Sequence, residues 1–68
     1  MKTEQMTDTI GLRKMVATLK PEYETIISLA YFKGYTLDEI SKTLEIPLGT
    51  VKTRMRSGIQ QLREVYNN

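Results

Sequence analysis

The sequence predicts an all-α fold, a small four-helix domain that ends in a helix-turn-helix. Apolar residues recur at intervals of three and four along most of the chain, which is the spacing of a helix face. Two prolines, Pro21 and Pro47, and the glycine Gly34 divide this pattern into segments of helical length. A length of 68 residues allows one domain with a modest core.

The first seven residues are polar and aperiodic, so residues 1–7 are expected to form a disordered leader before a folded domain at 8–68. A first helix is predicted at about 8–18, where the side-chain oxygen of Thr7 or Asp8 can cap it. Its apolar side is formed by Leu12, Met15, Val16 and Leu19. The helix ends before Lys20, because a residue that precedes proline avoids the helical region.

A second helix is predicted at about 21–33. Pro21 suits its first position, and Glu22 and Glu24 place negative charge at its N-terminus, where the helix dipole favours it. The predicted inner face consists of Tyr23, Ile26, Ile27 and Ala30, widened by Leu29, Tyr31 and Phe32. This width indicates the central, most buried helix, and Gly34 is expected to end it in a left-handed conformation.

Two further helices complete the predicted fold, at about 36–45 and 47–66. Thr36 and Glu39 have the spacing of a capping box, in which each side chain bonds the other residue's backbone amide. The last helix has an apolar stripe at Val51, Met55, Ile59, Leu62 and Tyr66, with spacings of three and four. A short turn around Pro47 joins the two helices, as in a helix-turn-helix.

The composition excludes several classes of function. The chain has no cysteine and no histidine, so disulfides, thiolate metal sites and histidine general bases are excluded. No segment approaches the ~18 apolar residues of a membrane span, and no signal peptide is visible. We therefore expect a cytoplasmic protein that is not an enzyme, with no catalytic residues, cofactor, metal, membrane contact or small-molecule substrate.

Positive charge is concentrated at the C-terminal end. Residues 1–46 contain six Lys or Arg and seven Asp or Glu, whereas residues 47–68 contain four Lys or Arg and one Glu. Such an asymmetry favours a polyanionic partner for the last segment. The alternative is an ordinary solvated helix face.

The face of the last helix opposite its apolar stripe favours DNA over that alternative. Small polar residues are expected at its centre, and Arg54 and Arg56 flank them. Small side chains allow close approach to base edges in a major groove, and cations reach phosphates or guanine. No acidic residue occurs from Pro47 to Arg63. The central residues are Thr50, Thr53, Ser57 and Gln60.

Two stretches of the chain resemble region 4 of bacterial sigma factors, most closely the extracytoplasmic-function group. They are GYTLDEIS at 34–41 and IPLGTVKTR at 46–54, followed by Arg56 and the Leu62-Arg63 pair. Leu19-Lys20-Pro21 and the YFKG run at 31–34 extend the resemblance upstream. It covers about residues 12–66, and the run from Gly49 to Arg54 is its most specific part.

The resemblance implies a helix-turn-helix domain that recognises the promoter minus-35 element on double-stranded DNA. It also implies docking on core RNA polymerase through the beta flap and, in many members, sequestration by an anti-sigma factor. Family positions imply DNA contacts by Lys52, Thr53, Arg54 and Arg56, and a phosphate contact by Thr36. Thr50 and Ser57 join this set from the face argument above.

Two departures from the family pattern bear on these expectations. Met55, Ser57 and Gly58 follow Arg54 where many relatives have a bulkier basic or alanine-rich segment. Gly58 costs ~1 kcal/mol of helix stability relative to alanine, and it either permits close packing or allows a slight bend. Ala30 stands where many relatives carry arginine. A sigma factor of this group also needs a separate helical domain that melts DNA, so we expect an excised domain or a lone homologue.

Two alternatives remain open from the sequence. A response-regulator-type helix-turn-helix shares the Gly-Thr-Val-Lys core and usually dimerises on paired half-sites. The second alternative is a protein-interaction module that binds a polymerase flap or an inhibitor but does not bind DNA. Its sequence signal is Ile10, an isoleucine that falls off the apolar side of the first helix.

Overall fold

A computed structural model describes the backbone of residues 11–67 and the side chains of residues 11–65. Its helices are α1 at residues 11–17, α2 at Pro21–Ile27 with a π-helical continuation at Ser28–Phe32, α3 at Leu37–Leu44, and α4 at Leu48–Asn67. The part of the chain that the structure describes contains no strand. The predicted all-α, four-helix fold with a C-terminal helix-turn-helix is therefore confirmed.

Some predictions fall on parts of the chain that are not described. These are the leader at 1–7, the start of the first helix at residue 8, its cap by Thr7 or Asp8, the position of Ile10, and the side chain of Tyr66.

Backbone geometry explains the break between α1 and α2. The amide of Leu19 donates to the carbonyl of Val16 over 3.0 Å, and the hydroxyl of Thr18 donates to the carbonyl of Met15 over 2.6 Å. Lys20 is extended, at φ −59° and ψ 147°, as expected for a residue before proline. Pro21 then opens α2, as predicted.

The second half of the α2 segment differs from the continuous α-helix that the sequence predicts. Residues Ser28–Phe32 are π-helical, and the amide of Lys33 donates to the carbonyl of Ser28 over 3.2 Å, five residues back. Gly34 follows at φ +75°, which confirms the predicted left-handed end. Because a π-turn is wider than an α-turn, spacings of three and four no longer select one face. The predicted inward position of Tyr31 is wrong, since this side chain is 57% exposed.

The capping box at the start of α3 is confirmed. The amide of Glu39 donates to Oγ1 of Thr36 over 3.1 Å, and the amide of Thr36 donates to Oε1 of Glu39 over 2.8 Å. The helix ends at Leu44, and Glu45 adopts a left-handed conformation with φ 57°. A left-handed backbone is strained for a residue with a Cβ, and no residue type near position 45 predicts it.

The core consists of two clusters of buried apolar side chains. The first, here called the N-terminal cluster, has Val16, Leu19 and Ile27 at its centre and joins α1, α2 and the second half of α4. The other, the turn cluster, has Ile26, Ile40 and Val51 at its centre and joins α2, α3 and the start of α4. Met55 packs against both clusters, so α4 is fixed to the rest of the domain along most of its length.

Gly58 lies in the contact between α4 and α2. It is buried, and a Cβ built on it would meet side-chain atoms of Ile27 and Tyr23. Of the two roles that the sequence allowed for this glycine, the structure supports close packing. The half-buried positions of Ile59 and Leu62 agree with the predicted apolar stripe of α4.

Candidate nucleic-acid interface

The turn between α3 and α4 is closed by hydrogen bonds to Ser41. The backbone carbonyl of Ser41 accepts from the amides of Glu45 and Ile46, the latter over 3.1 Å. Its hydroxyl donates to the carbonyl of Ile46 over 2.6 Å. The turn is thus bonded through main-chain and side-chain atoms of one residue, which fixes the direction in which α4 leaves α3.

The first turn of α4 carries no acidic side chain. The amide of Val51 donates to the carbonyl of Pro47 over 3.1 Å, so α4 begins directly after the proline. The first turns of α2 and α3 both carry acidic residues, and the first turn of α4 carries none. The partial positive charge at this helix end is therefore not neutralised by its own side chains.

The solvent-facing side of α4 carries cations and a threonine. Lys52, Thr53 and Arg56 are exposed, and so are Gln60 and Arg63 further along the helix. Val51, one residue from Lys52, is completely buried. The burial of the apolar stripe therefore directs these polar side chains away from the core, as the sequence predicted.

Three of the predicted contact residues are less accessible. Thr50, Arg54 and Ser57 are half-buried, so the exposed face is centred closer to Lys52 and Arg56 than the sequence indicated. Gly58 explains the difference, because it brings α4 against α2 and Arg54 lies one turn before it on the same side. The sequence allowed close packing at Gly58, but periodicity along α4 alone did not predict the half-burial of these three residues.

An open cleft of 610 Å³ runs between the N-terminal end of α3 and the exposed side of α4. Leu37, Met55 and Ile59 supply its apolar part, and no acidic side chain lines it. The rim is polar and positively charged, and it consists of Lys52, Arg56, Gln60 and Arg63. Arg63 was not among the predicted contacts, although its spacing from Arg56, two turns later, would have placed it on this side.

Thr36 lies next to this cleft, since the following residue, Leu37, lines it. Its hydroxyl oxygen already accepts a hydrogen bond from the amide of Glu39, and the residue is exposed. The hydroxyl hydrogen remains available to an outside acceptor such as a phosphate oxygen. Thr36, Lys52, Thr53 and Arg56 are thus placed around one solvent-facing region, and Thr50, Arg54 and Ser57 along its shielded edge.

Residues 11–67 contain neither a membrane-spanning helix nor a metal-binding cluster. None of the helices there is both long and apolar enough to cross a membrane. Within the same range, no group of three or more acidic, histidine or cysteine side chains is arranged to hold a metal ion.

Comparison with known families gives one match that covers most of the chain. The family described as Sigma-70, region 4 matches residues 15–64. This range contains all seven predicted contact residues, both core clusters apart from Leu12, and the turn closed by Ser41.

Three relatives illustrate the similarity. The chain is 40% identical over 53 residues to the ECF RNA polymerase sigma factor SigW of Bacillus subtilis, covering 78% of this chain and 28% of that protein. It is 38% identical over 53 residues to the ECF RNA polymerase sigma factor SigE of Mycolicibacterium smegmatis, covering 78% and 21%. It is 46% identical over 37 residues to the ECF RNA polymerase sigma factor SigK of Mycobacterium sp. strain KMS, covering 54% and 19%.

The chain therefore spans between a fifth and about a quarter of the length of these relatives. None of the matches favours the response-regulator type or an interaction module without DNA binding.

Proposed function

The chain belongs to the sigma-70 region 4 family, and on this premise we propose that it binds the minus-35 element of promoter DNA as part of an ECF RNA polymerase sigma factor. The family consists of transcription-factor domains that are not enzymes. The proposal agrees with the relatives, which are named as RNA polymerase sigma factors. Its place of action is the cytoplasm, where bacterial RNA polymerase works.

One observation carries this proposal, the exposed face of α4 between Leu48 and Arg63, which has no acidic side chain. Lys52, Thr53 and Arg56 project from a helix whose opposite side is fixed in the core. The preceding turn is closed by hydrogen bonds of Ser41 to Ile46. A helix held in this way can enter a major groove while the helix before it braces the DNA backbone.

The proposed contacts divide into two kinds. Lys52 and Arg56 have long cationic side chains at the exposed surface and are assigned to phosphates or to guanine edges. Thr53 is short and exposed and is assigned to a base edge. Thr36 is assigned to a phosphate through its free hydroxyl hydrogen, which places a second anchor at the start of α3.

The half-buried residues at the edge of this face are assigned additional contacts with the same DNA. Arg54 is long enough to extend its guanidinium past the shielding by α2, while its aliphatic stem packs. Thr50 and Ser57 have short side chains, so their contact with DNA requires close approach of the α4 backbone. The proposed DNA-contacting set is Thr36, Thr50, Lys52, Thr53, Arg54, Arg56 and Ser57.

The protein partners are proposed from family membership. Docking on core RNA polymerase through the beta flap would place the domain upstream on the promoter, and an anti-sigma factor would compete for it. Tethering to the polymerase raises the effective concentration of the domain at the promoter, so a modest intrinsic affinity for DNA is sufficient.

The decisive experiment measures binding of the chain to a fluorescently labelled mixed-sequence 25-base-pair duplex by anisotropy, over a range of salt concentrations. We expect the double variant Lys52→Ala/Arg56→Ala to bind more weakly and to lower the slope of log affinity against log salt by about 2, since each phosphate contact contributes about 0.9. The matched control is Lys14→Ala/Lys20→Ala, which removes two exposed positive charges outside α4. Equal losses in both variants would show that net charge alone, and no α4 contact, explains binding.

Arg54→Ala tests the shielded edge separately. We expect a weaker affinity for the duplex than that of the parent chain, because one arginine contact is removed. An unchanged affinity would remove Arg54 from the contact set and restrict the interface to the exposed face around Lys52 and Arg56.

A further inference from the structure

The contact between α4 and α2 has its closest approach at Gly58. A Cβ added there would lie 2.5 Å from Cδ1 of Ile27, 3.4 Å from its Cγ1 and 3.3 Å from Cβ of Tyr23. Distances below 3.0 Å are not tolerated, so a side chain at this position forces either Ile27 or α4 to move. By contrast, a Cβ on Gly49 in the first turn of the same helix would meet nothing within 4 Å.

Ile27 has little freedom to move aside. It is completely buried and packs with Val16 and Leu19 in the N-terminal cluster. Interiors are close-packed, and displaced side chains transmit strain to their neighbours. Cβ of Tyr23, at 3.3 Å, is fixed to the backbone of α2, so rotation of the Ile27 side chain alone does not relieve every contact. We therefore expect a side chain at position 58 to shift α4 away from α2.

Such a shift would alter the direction of α4 where it meets DNA. Val51 holds the start of the helix in the turn cluster, and Gly58 lies seven residues later, about 10 Å along the axis. Moving one of these two points by about 1 Å while the other stays fixed rotates the helix by several degrees. Lys52, Arg54 and Arg56 lie between the two points and would move with it.

We propose that Gly58 is a positioning residue for DNA binding: the missing side chain lets α4 seat on Ile27 and sets the angle at which the contact face is presented. This inference rests on the proposed function, and it identifies the contact of Gly58 with Ile27 as the feature that sets the orientation of α4. The helix-weakening effect of glycine is accepted at position 58 because alanine would not fit.

The test uses four variants of the full chain: Gly58→Ala, Ile27→Val, the double variant Ile27→Val/Gly58→Ala, and Gly49→Ala. Ile27→Val removes Cδ1, the atom 2.5 Å from the added Cβ, and leaves only contacts of 3.3 Å and longer. Two quantities are measured for each. The first is affinity for the labelled mixed-sequence duplex, and the second is the orientation of α4 relative to α2 from NMR residual dipolar couplings of the free chain.

We expect Gly58→Ala to bind the duplex about five-fold more weakly or worse, the size of one lost base contact, and to show a rotated α4. The double variant is expected to regain parent affinity and orientation, and Ile27→Val alone to match the parent in both. Gly49→Ala serves as control for orientation only, and its α4 should not rotate. A loss of affinity that came only from reduced stability would leave α4 unrotated in Gly58→Ala, because the residual dipolar couplings report the orientation in the folded molecules.

Several outcomes would overturn the proposal. One is a Gly58→Ala variant with parent affinity and orientation, and another is a double variant as impaired as the single one. If Gly58→Ala does not fold, the double variant decides, and an altered orientation there contradicts the proposal. If the parent chain itself does not bind the duplex, the proposed function fails, and an unrotated α4 in Gly58→Ala would separately overturn the positioning role.

Discussion

The two halves of this domain are held together by different kinds of interaction. The turn half, which contains α3, the turn and the start of α4, combines a buried cluster with side-chain hydrogen bonds made by Thr36, Glu39 and Ser41. The N-terminal half relies on the packing of Val16, Leu19 and Ile27, and no side chain caps the start of α2.

A cation–π contact also joins two elements of the N-terminal half. The guanidinium of Arg13 lies 4.2 Å above the centre of the Phe32 ring, which links α1 to the π-helical end of the α2 segment. Contacts of this kind at accessible sites contribute ~0.5–1 kcal/mol and constrain geometry loosely.

This difference suggests that packing and hydrogen bonds have separate roles in the domain. Apolar contacts are non-directional and supply stability in both halves, whereas hydrogen bonds fix angles. The Ser41 bonds lie at the turn where the direction of α4 is determined, and the bonds of Thr36 and Glu39 fix the start of α3. Changes to packing should therefore cost stability in either half, and changes to the hydrogen bonds of the turn should additionally impair DNA binding.

The largest loss of stability is expected from truncating the buried isoleucines, one in each cluster. Unequal losses at the two positions would show that the two halves are not equally well packed. Ile40→Ala and Ile27→Ala should each lower the free energy of unfolding by about 2–5 kcal/mol, because both side chains are fully buried. In a domain this small such losses approach the total free energy of unfolding. The variants Ile27→Val and Ile40→Val, which should lose about 0.5–1.5 kcal/mol each, are therefore the ones whose stability can be measured. Urea denaturation followed by circular dichroism measures both.

Val65→Ala is the control for these substitutions, since Val65 is 46% exposed and should change stability little. A valine variant at Ile27 that costs nothing, beside a costly one at Ile40, would contradict equal packing of the two clusters.

Removing one hydroxyl group in each half should have an effect of intermediate size on stability and should separate stability from DNA binding. Ser41 and Thr18 each donate to a main-chain carbonyl over 2.6 Å, one at the helix-turn-helix and the other at the end of α1. Ser41→Ala and Thr18→Ala should each cost about 1 kcal/mol of stability, less at the exposed Thr18. Only Ser41→Ala should also weaken duplex binding in the anisotropy assay. Equal binding by both variants would show that this bond does not direct α4.

The smallest expected effect is a gain of stability at the left-handed residue of the turn. Glu45→Gly should raise the free energy of unfolding by about 0.5 kcal/mol, because glycine adopts positive φ without strain and this outweighs its greater freedom in the unfolded chain. Glu64→Gly in α4, an exposed helical position, should instead lower stability by up to about 1 kcal/mol. Thermal unfolding of the two variants should therefore shift in opposite directions, and a loss at Glu45 would mean that its side chain stabilises the turn.

Features that depend on neighbours in the chain could be predicted from the sequence. The capping box of Thr36 and Glu39, the proline start of α2 and the left-handed Gly34 are all set by residues within four positions of each other. The buried stripe of α4 and its exposed cations follow from periodicity in the same way. These local signals were sufficient for the fold class and for most of the candidate interface.

Features that depend on contacts between distant segments could not be predicted. The π-helical turn that exposes Tyr31 has no local signature, and Glu45 is not a residue type that favours positive φ. The half-burial of Arg54 and Ser57 follows from the approach of α2 to Gly58, about 30 residues away in the chain. Periodicity along one helix carries no information on such an approach.

The position of Met55 between the two clusters has a consequence for hydrogen exchange. Because this one side chain packs against both, opening either cluster exposes part of the other's surface. Amides in α2 and in the middle of α4 should then exchange only through opening of the whole domain, at one common rate. The middle of α4 should therefore be among the slowest-exchanging parts of the domain, even though its outer face is exposed to solvent.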